Sequence, residues 1–386
     1  MPAVDIEALR KIYLVNLGVG KRDRVLVFTD KVSKREGRLQ PAELERRAGL
    51  LEIGRAAAAA GRGLAKEVIY RQYAAGGAPA IEPPRALWDA AFGEECVNEI
   101  SSGGFLEEIL KKKVSDEGLK KAEEIVKRKK HSRRAVDAVI ALSNYSTTHT
   151  IFRKLLTATG ARYASMPLFD AMMLSGPMEV DYGELKRLTA ALARAISGAA
   201  WLRLTAPNGT RLLLKKGRRK ARQDNGDYTR PGSAGNLPAG EVYFAPVEGA
   251  AEGRLVLDWA PTRKLKSPVT LSVRRGLAAE VFSPGREAFA GELRDRLAAC
   301  PECANIAELG IGANRLARRP DNILESEKIL GTVHVALGDN HTFGGRVRAP
   351  FHQDFVFFSP TLAVVGADGK IKSTIIRRGK FSFACS

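Results

Sequence analysis

The sequence predicts an α/β protein with an N-terminal α/β domain, whose sheet is mainly parallel, and a C-terminal α+β domain, whose sheet is mainly antiparallel. Three observations support this fold class. With 386 residues, the chain is long for a single hydrophobic core. Before Gly198, short apolar runs alternate with helical patterns, as in a parallel sheet covered by helices. After Gly198, short strands follow one another between turn residues. The expected domains are therefore residues 1–198 and 199–386.

The N-terminal domain is predicted to begin with a buried strand over 24–28, where the sequence is Arg-Val-Leu-Val-Phe. A helix over 43–60 follows, because apolar residues recur near helical spacing until Gly61 and Gly63 stop it. The remaining elements are predicted in this order: a strand at 68–73, helices at 105–113 and 116–130, a strand at 135–142, a helix near 150–159, a strand at 162–165 and an amphipathic helix at 182–196.

The C-terminal domain is predicted to consist mainly of short strands bounded by Gly, Pro, Asn and Asp. The strands are expected at 201–205, 211–215, 242–245, 255–259, 269–274, 278–282, 306–311, 332–337, 355–358, 362–365 and 374–376. One helix, at 287–299, interrupts them. The segment Ala367-Asp-Gly-Lys370 is typical of a hairpin turn.

The chain is strongly basic, with a formal net charge of +19. Its basic residues cluster at 111–113, 127–134 and 215–222. Neither a recognition-helix signature nor interleaved aromatic residues accompany these runs, so no specific nucleic-acid partner is predicted. The charge indicates only non-specific attraction to polyanions.

The sequence contains no apolar run long enough to span a membrane and no signal peptide, so we expect a cytoplasmic protein without a membrane partner. Four cysteines are too few for a secreted disulfide framework. We expect Cys300 and Cys303 to be two ordinary thiols at a helix end.

Histidine is concentrated in one part of the chain. Of five histidines, His334, His341 and His352 fall within 19 residues, and Asp354 lies two places after the last. Residues two apart on a strand point to the same face, so His352 and Asp354 should converge. His334 lies in an apolar strand, where burying an unpartnered imidazole would be costly. The cluster therefore predicts metal ligands.

Two glutamates in apolar segments extend this set. Glu241 lies where a Gly/Pro-rich loop enters a strand, and Glu308 is embedded among apolar residues and glycines. A buried carboxylate without a partner would shift its pKa or destabilise the fold. Together with His334, His352 and Asp354, the glutamates suit a two-metal site in the C-terminal domain, with one carboxylate bridging the ions.

Four segments in this order resemble the motifs of the thermophilic, leucyl aminopeptidase-like metallo-aminopeptidases. They are Asn236-Leu-Pro-Ala-Gly-Glu-Val-Tyr-Phe-Ala-Pro246, Ala307-Glu-Leu-Gly-Ile-Gly312, Glu327-Lys-Ile-Leu-Gly-Thr-Val-His-Val-Ala-Leu-Gly338 and His352-Gln-Asp354. The resemblance covers the second domain. It implies that the enzyme hydrolyses N-terminal residues from short peptides. It also implies a homodimer with a secluded active site.

The resemblance further implies roles for individual residues. Two divalent ions, commonly zinc, cobalt or manganese, would be held by Glu241, Glu308, His334, His352 and Asp354. His341 stands where the family has a tyrosine, seven residues after the first metal histidine, and an imidazole can also donate to an oxyanion. Glu327 is a candidate base or a residue supporting the ligands.

Two other functions remain open at this point. Relatives of this fold include mononuclear iron dioxygenases that cleave the ring of dihydroxypyridines, and His334, His352 and Asp354 could supply their two-histidine, one-carboxylate triad for Fe(II). A non-catalytic, metal-stabilised protein that uses its basic surface is the third hypothesis. Because Glu241 and Glu308 favour two metals, the sequence favours the metallo-aminopeptidase.

Overall fold

The computed structural model describes residues 5–129 and 135–383, and the chain divides into two compact units. The first unit comprises residues 1–179 and 226–238, and the second comprises residues 180–225 and 239–386. The chain thus enters the second unit at residue 180 and returns to the first for a short segment. The domain boundary near residue 198 stays a prediction. Part of the basic run at 127–134 lies outside the described residues.

The helices are short apart from α2, α6, α8 and α9. In chain order they are α1 (Ile6–Lys11), α2 (Pro41–Ala60), α3 (Arg85–Phe92), α4 (Glu94–Ser102), α5 (Phe105–Leu110), α6 (Asp116–Lys129), α7 (Ile151–Ala158), α8 (Tyr182–Ala195), α9 (Ala288–Ala299) and α10 (Ile323–Ser326).

The strands are β1 (Arg24–Lys31), β2 (Glu67–Ala74), β3 (Ala138–Leu142), β4 (Arg162–Ser165), β5 (Trp201–Thr205), β6 (Arg211–Lys215), β7 (Arg222–Asp224), β8 (Ala234–Asn236), β9 (Glu241–Phe244), β10 (Ala251–Ala260), β11 (Arg263–Arg274), β12 (Leu277–Phe282), β13 (Ile306–Gly312), β14 (Val333–Gly338), β15 (His352–Phe357), β16 (Thr361–Val365), β17 (Ile371–Arg377) and β18 (Lys380–Phe381).

The first unit is built on a five-stranded parallel sheet in the order β2-β1-β3-β4-β8. Its central strands read as continuous apolar runs because side chains on both faces are buried. Trp88 of α3 packs against Phe92 and Phe152, and Phe152 lies edge to face with Phe28 of β1. This aromatic cluster anchors the helices on the sheet through apolar burial.

The second unit contains two antiparallel sheets. One has eight strands in the order β12-β11-β10-β6-β5-β16-β17-β18, and the other has five in the order β15-β14-β13-β9-β7. We call the five-stranded sheet the site sheet, because all the strands that carry the predicted ligands belong to it. Strands β13 and β14 at its centre are buried along their whole length.

The predicted fold class is confirmed: a mainly parallel sheet in the N-terminal part and mainly antiparallel sheet in the C-terminal part. None of the helices in the described ranges combines the length and the apolar character that crossing a bilayer requires. One prediction was wrong, since Cys300 and Cys303 form a disulfide rather than two ordinary thiols. The end of α9 and the short 3-10 turn after it bring the two sulfurs together.

Candidate metal centre

The site sheet places the predicted ligands on one face. In its antiparallel ladders Glu241 lies opposite Gly312, and His334 lies opposite Gly310. Ala336 lies opposite both Glu308 and Asp354. Directly opposed residues project to the same side, as do residues two apart on a strand. The pairing therefore brings together donors that are more than a hundred residues apart in sequence.

Glu241, Glu308 and His334 form the first group whose ligand atoms all lie within 4.8 Å of one another. His334 Nε2 is 3.0 Å from Glu241 Oε2 and 3.4 Å from Glu308 Oε1. All three residues are buried. Two carboxyl groups thus face one imidazole nitrogen, and this arrangement suits a cation bound between them.

Two further groups share residues with the first. Glu308, His352 and Asp354 form one, in which His352 Nε2 is 3.6 Å from Glu308 Oε2 and 3.7 Å from Asp354 Oδ2. Glu327, His334 and Asp354 form the other. Asp354 is therefore grouped with each of the two imidazoles. The structure brings together all five predicted metal ligands and adds Glu327 to them.

Two observations show that these residues fit a metal ion. Glu241 Oε2, both ring nitrogens of His334, and Asp354 Oδ1 are buried without a hydrogen-bond partner among the described residues, although Nε2 and Oε2 approach closely. Buried polar atoms are rarely left in this state unless another group binds them. In addition, a Cβ on Gly310 would lie 2.0 Å from His334 Nε2, so glycine makes room for the imidazole.

Burial and neighbouring charges move the pKa values of the carboxyl groups in opposite directions. For Glu241, burial is outweighed by Lys328 and His334, which lower its pKa to about 2. For Glu327, burial prevails over the attraction of Lys328 and raises its pKa to about 8. Burial also raises the pKa of Glu308.

The pKa of His334 is raised far above its usual value. Burial alone would lower it, but the contacts with Glu241 and Glu308 outweigh burial. The two neighbouring carboxyl groups therefore favour the charged form of the imidazole when no metal ion is bound. An imidazole nitrogen must be deprotonated to bind a metal ion, so binding of an ion at Nε2 would displace any proton held there.

Lys328 is the residue of this centre that the sequence analysis missed. Its side chain is fully buried, and its Nζ lies 2.5 Å from Glu241 Oε1, 2.8 Å from Glu327 Oε1 and 3.6 Å from Asp224 Oδ2. The only sequence signal was its place in the Glu-Lys pair before β14. Lysine is usually exposed, so its type gave no reason to expect a buried contact.

His341 lies outside the ligand groups. Among residues 5–129 and 135–383, the groups with metal-ligand spacing do not include it. It lies on the loop after β14, its side chain is 39% exposed, and its Nδ1 is 3.1 Å from Asp339 Oδ1. The carbonyl oxygen of Asp339 lies 2.7 Å from His352 Nδ1, within hydrogen-bonding distance. Asp339 therefore contacts both histidines.

Aromatic side chains border the second ligand group. Phe343 follows His341 on the same loop, and its ring lies edge to face with His352 at 5.8 Å and with Tyr243 at 5.6 Å. Neither aromatic residue was predicted from the sequence to belong to the site. Together with Asp339, Phe343 restricts the orientation of the His352 ring.

The antiparallel site sheet presents a face of buried imidazole and carboxylate donors, and the chain also has a parallel α/β unit. The protein is therefore an α/β protein with a candidate metal centre. The family model described as "NicX: 2,5-dihydroxypyridine 5,6-dioxygenase" matches residues 111–381. The match covers most of the chain, so the chain belongs to this family.

Two solved structures have the same fold along nearly the whole chain. That of 2,5-dihydroxypyridine dioxygenase from Pseudomonas putida KT2440 has a TM-score of 0.67 and 19% identity, covering 99% of each chain. That of wild-type AmpT from Thermus thermophilus has a TM-score of 0.54 and 14% identity, covering 98% of each chain. At these identities the likeness shows the fold alone. No curated protein matched the sequence.

The family match corrects the function predicted from the sequence. The assignment to the metallo-aminopeptidases was wrong, and with it the prediction of a hydrolase or protease acting on short peptides. The physical reason is that the resembling motifs surround imidazole and carboxylate donors with metal-ligand spacing. Imidazole and carboxylate donors serve both hydrolytic and oxidative metal centres, so these motifs do not specify the reaction.

Proposed function

We propose that this protein is an Fe(II)-dependent dioxygenase that opens the ring of a dihydroxylated pyridine, with 2,5-dihydroxypyridine as the first substrate to test. The observation that carries the proposal is the family match over residues 111–381. The donor set supports it, because two histidines and a carboxylate are the ligands typical of non-haem Fe(II) oxygenases.

The residues that would hold the iron are His334, His352 and Asp354. The two imidazoles belong to different groups, and Asp354 is the donor that both groups share. We propose one iron per chain at these three residues, with Glu308 beside it and with Glu241 Oε2, which faces His334 Nε2 at 3.0 Å, as a further ligand. The two ions expected earlier were inferred from Glu241 and Glu308, and their identity as zinc, cobalt or manganese came with the aminopeptidase resemblance; metal analysis of the purified protein measures both.

Iron, when bound, would supply the redox chemistry that joins dioxygen to the ring. The contribution of the chain is to orient its ligands and to manage protons. The contact with the Asp339 carbonyl supports a proton on Nδ1 of His352 and leaves Nε2 to face Glu308 and Asp354. Glu327, whose carboxyl has a pKa of about 8, suits the exchange of a proton with a hydroxyl group of the substrate near neutral pH.

The aromatic residues next to the ligands support a flat, aromatic substrate. The ring of Phe343 contacts both His352 and Tyr243, and aromatic rings pack favourably edge to face or offset. We propose that His341, exposed on the same loop, contacts the substrate rather than the metal. The homodimer expected from the sequence stays a prediction, which light scattering after size-exclusion chromatography would test.

The proposed function is tested by oxygen consumption. Metal-free protein is loaded with Fe(II) without oxygen and mixed with 2,5-dihydroxypyridine in aerated buffer. We expect equal amounts of oxygen and substrate to disappear, the ring absorbance to be lost, and both atoms of labelled dioxygen to enter the product. Oxygen uptake that is absent, or no greater than with zinc-loaded protein, would refute the proposal.

Two variants separate the ligands from the substrate contacts. Asp354→Asn should lose both iron and activity, because the shared carboxylate is altered. His341→Ala should keep its iron content and lose turnover, since the imidazole lies outside the ligand groups. Iron lost from His341→Ala, or fully retained by Asp354→Asn, would contradict these roles.

A further inference from the structure

Lys328 is a buried cation within the candidate metal centre. Its side chain has no exposure to solvent, and its ammonium nitrogen contacts carboxylates of Glu241, Glu327 and Asp224. Fully buried lysine is rare, and burying its charge is costly unless nearby groups replace its hydration. Three carboxyl groups contact this one ammonium group, although a single carboxylate would balance its charge, which points to a function in arranging them.

The backbone around Lys328 is fixed by hydrogen bonds within the second unit. The N–H of Asn314 donates to the carbonyl of Lys328 at 2.8 Å, and the N–H of Leu330 donates to the carbonyl of Asn314 at 3.1 Å. The side chain of Asn314 donates to the carbonyl of Ala239 at 2.8 Å. Ala239 lies two residues before Glu241. Asn314 thus joins the segment that carries Lys328 to the segment that carries its main partner.

The two carboxylate oxygens of Glu241 have different neighbours. Oε1 lies 2.5 Å from Lys328 Nζ, whereas Oε2 faces His334 Nε2 at 3.0 Å. Oε2 has no hydrogen-bond partner among the described residues. A carboxylate held through one oxygen has a fixed side-chain conformation and offers its other oxygen in a defined direction.

We propose that Lys328 is a positioning residue of the metal centre: its ammonium group binds Glu241 through Oε1 so that Oε2 alone is presented to the metal ion. The inference rests on the metal site of the proposed function but not on its substrate or on ring cleavage. It therefore applies to any divalent ion that binds at Glu241 and His334.

The test uses Co(II) as the probe, because its visible absorption reports the geometry of its ligands. Metal-free wild type and Lys328→Met are titrated with Co(II) alone. We expect the affinity of the variant to fall by about 10–100-fold, the range for residues that orient metal ligands, and its spectrum to change. Lys216→Met is the matched control, since Lys216 is also buried in the second unit and donates to the Ser197 carbonyl. Its Co(II) spectrum should equal that of wild type.

A double-variant cycle distinguishes positioning from general support of the fold. If Lys328 acts through Glu241, Glu241→Gln should weaken Co(II) binding in wild type and add little in the Lys328→Met background. Should Lys328→Met fail to fold, as judged by thermal melting, Lys328→Gln replaces it in the same cycle. Additive losses, or unchanged Co(II) affinity and spectrum in the lysine variants, would overturn the inference.

These outcomes are independent of the proposed activity. Wild-type protein that binds Co(II) but whose Fe(II) form consumes no oxygen with dihydroxypyridine would remove the proposed function and leave Lys328 as a positioning residue. If the wild type is active but its lysine variants bind Co(II) normally, the positioning role of Lys328 would be refuted and the proposed function would stand.

Discussion

Gly310→Ala is a sharp test of the metal centre, because it displaces one ligand without changing any ligand. Gly310 lies directly opposite His334 in the β13–β14 ladder, and an added Cβ would lie 2.0 Å from Nε2 and 2.2 Å from Cε1 of the imidazole. Non-bonded heavy atoms prefer separations of about 3.5 Å, so the ring must move by about 1.5 Å. Gly310 does not have a positive φ, so alanine itself fits the backbone.

The displacement is large on the scale that metal ligands tolerate. Functional side chains must be held within about 0.5 Å of their productive position, and a misplacement of about 1 Å can cost about 100-fold. His334 is completely buried, so its ring cannot move out into solvent. We therefore expect metal affinity to fall by about 100-fold. Overpacking should cost about 1–3 kcal/mol of stability, partly offset by the lower entropy of the unfolded chain.

Co(II) titration and urea denaturation measure these two effects separately. Gly291→Ala in α9 is the control, because a Cβ there would meet nothing within 4 Å. It should leave metal binding unchanged and stabilise the helix by about 0.5–1 kcal/mol. A Gly310→Ala protein that is folded and binds Co(II) with wild-type affinity and spectrum would refute the position or the ligand role of His334.

Three further outcomes concern buried charge. Arg47→Met should lower the free energy of unfolding by about 3–5 kcal/mol in urea denaturation, because it leaves the buried carboxylates of Asp30 and Glu36 without their cation; a loss below about 1 kcal/mol would contradict this. Burial raises the pKa of Glu82 from 4.5 to about 7, so the folded chain keeps a proton that the unfolded chain has lost, and stability should fall as pH rises through this range. In thermal melts, the stability of Glu82→Gln should decline less with rising pH than that of wild type, and an equal decline would show that Glu82 is not the group responsible. Chelation of metal should lower the melting temperature of metal-loaded protein, because the buried carboxylates then lack a cation; an unchanged temperature would argue against a bound ion.

Most of the fold could be predicted because local patterns specify it. The strands at 201–205 and 211–215 have the predicted bounds, since each is a short apolar segment between turn residues. Helices α3 and α4 were missed, because each is short and Gly93 separates them. The edge strands β7 and β8 were missed as well. Their sequences are polar or glycine-rich, and only pairing with a neighbouring strand makes them extended.

The donors of the candidate site could be predicted from residue type, but their surroundings could not. Histidines and glutamates in apolar strands indicate ligands, and the sheet register brings them together. The burial of Lys328 depends on tertiary structure, which local sequence does not encode. The role of His341 was inferred from its place in the resembling motif and stays a prediction; among the described residues it lies on the turn after β14 and belongs to none of the ligand groups.

The reaction was the hardest property to predict, because the same donors bind ions of different chemistry. Glu241 and Glu308 led to the expectation of two ions, yet Glu241 has one oxygen engaged by Lys328 and the other directed at His334. A carboxylate arranged in this way provides a single donor atom, so counting carboxylates overestimates the coordination that the centre offers. Asp354, grouped with both imidazoles, is better placed to join them around one ion. The number of ions therefore depends on how each carboxylate is oriented, which is set by residues such as Lys328 that bind no metal themselves.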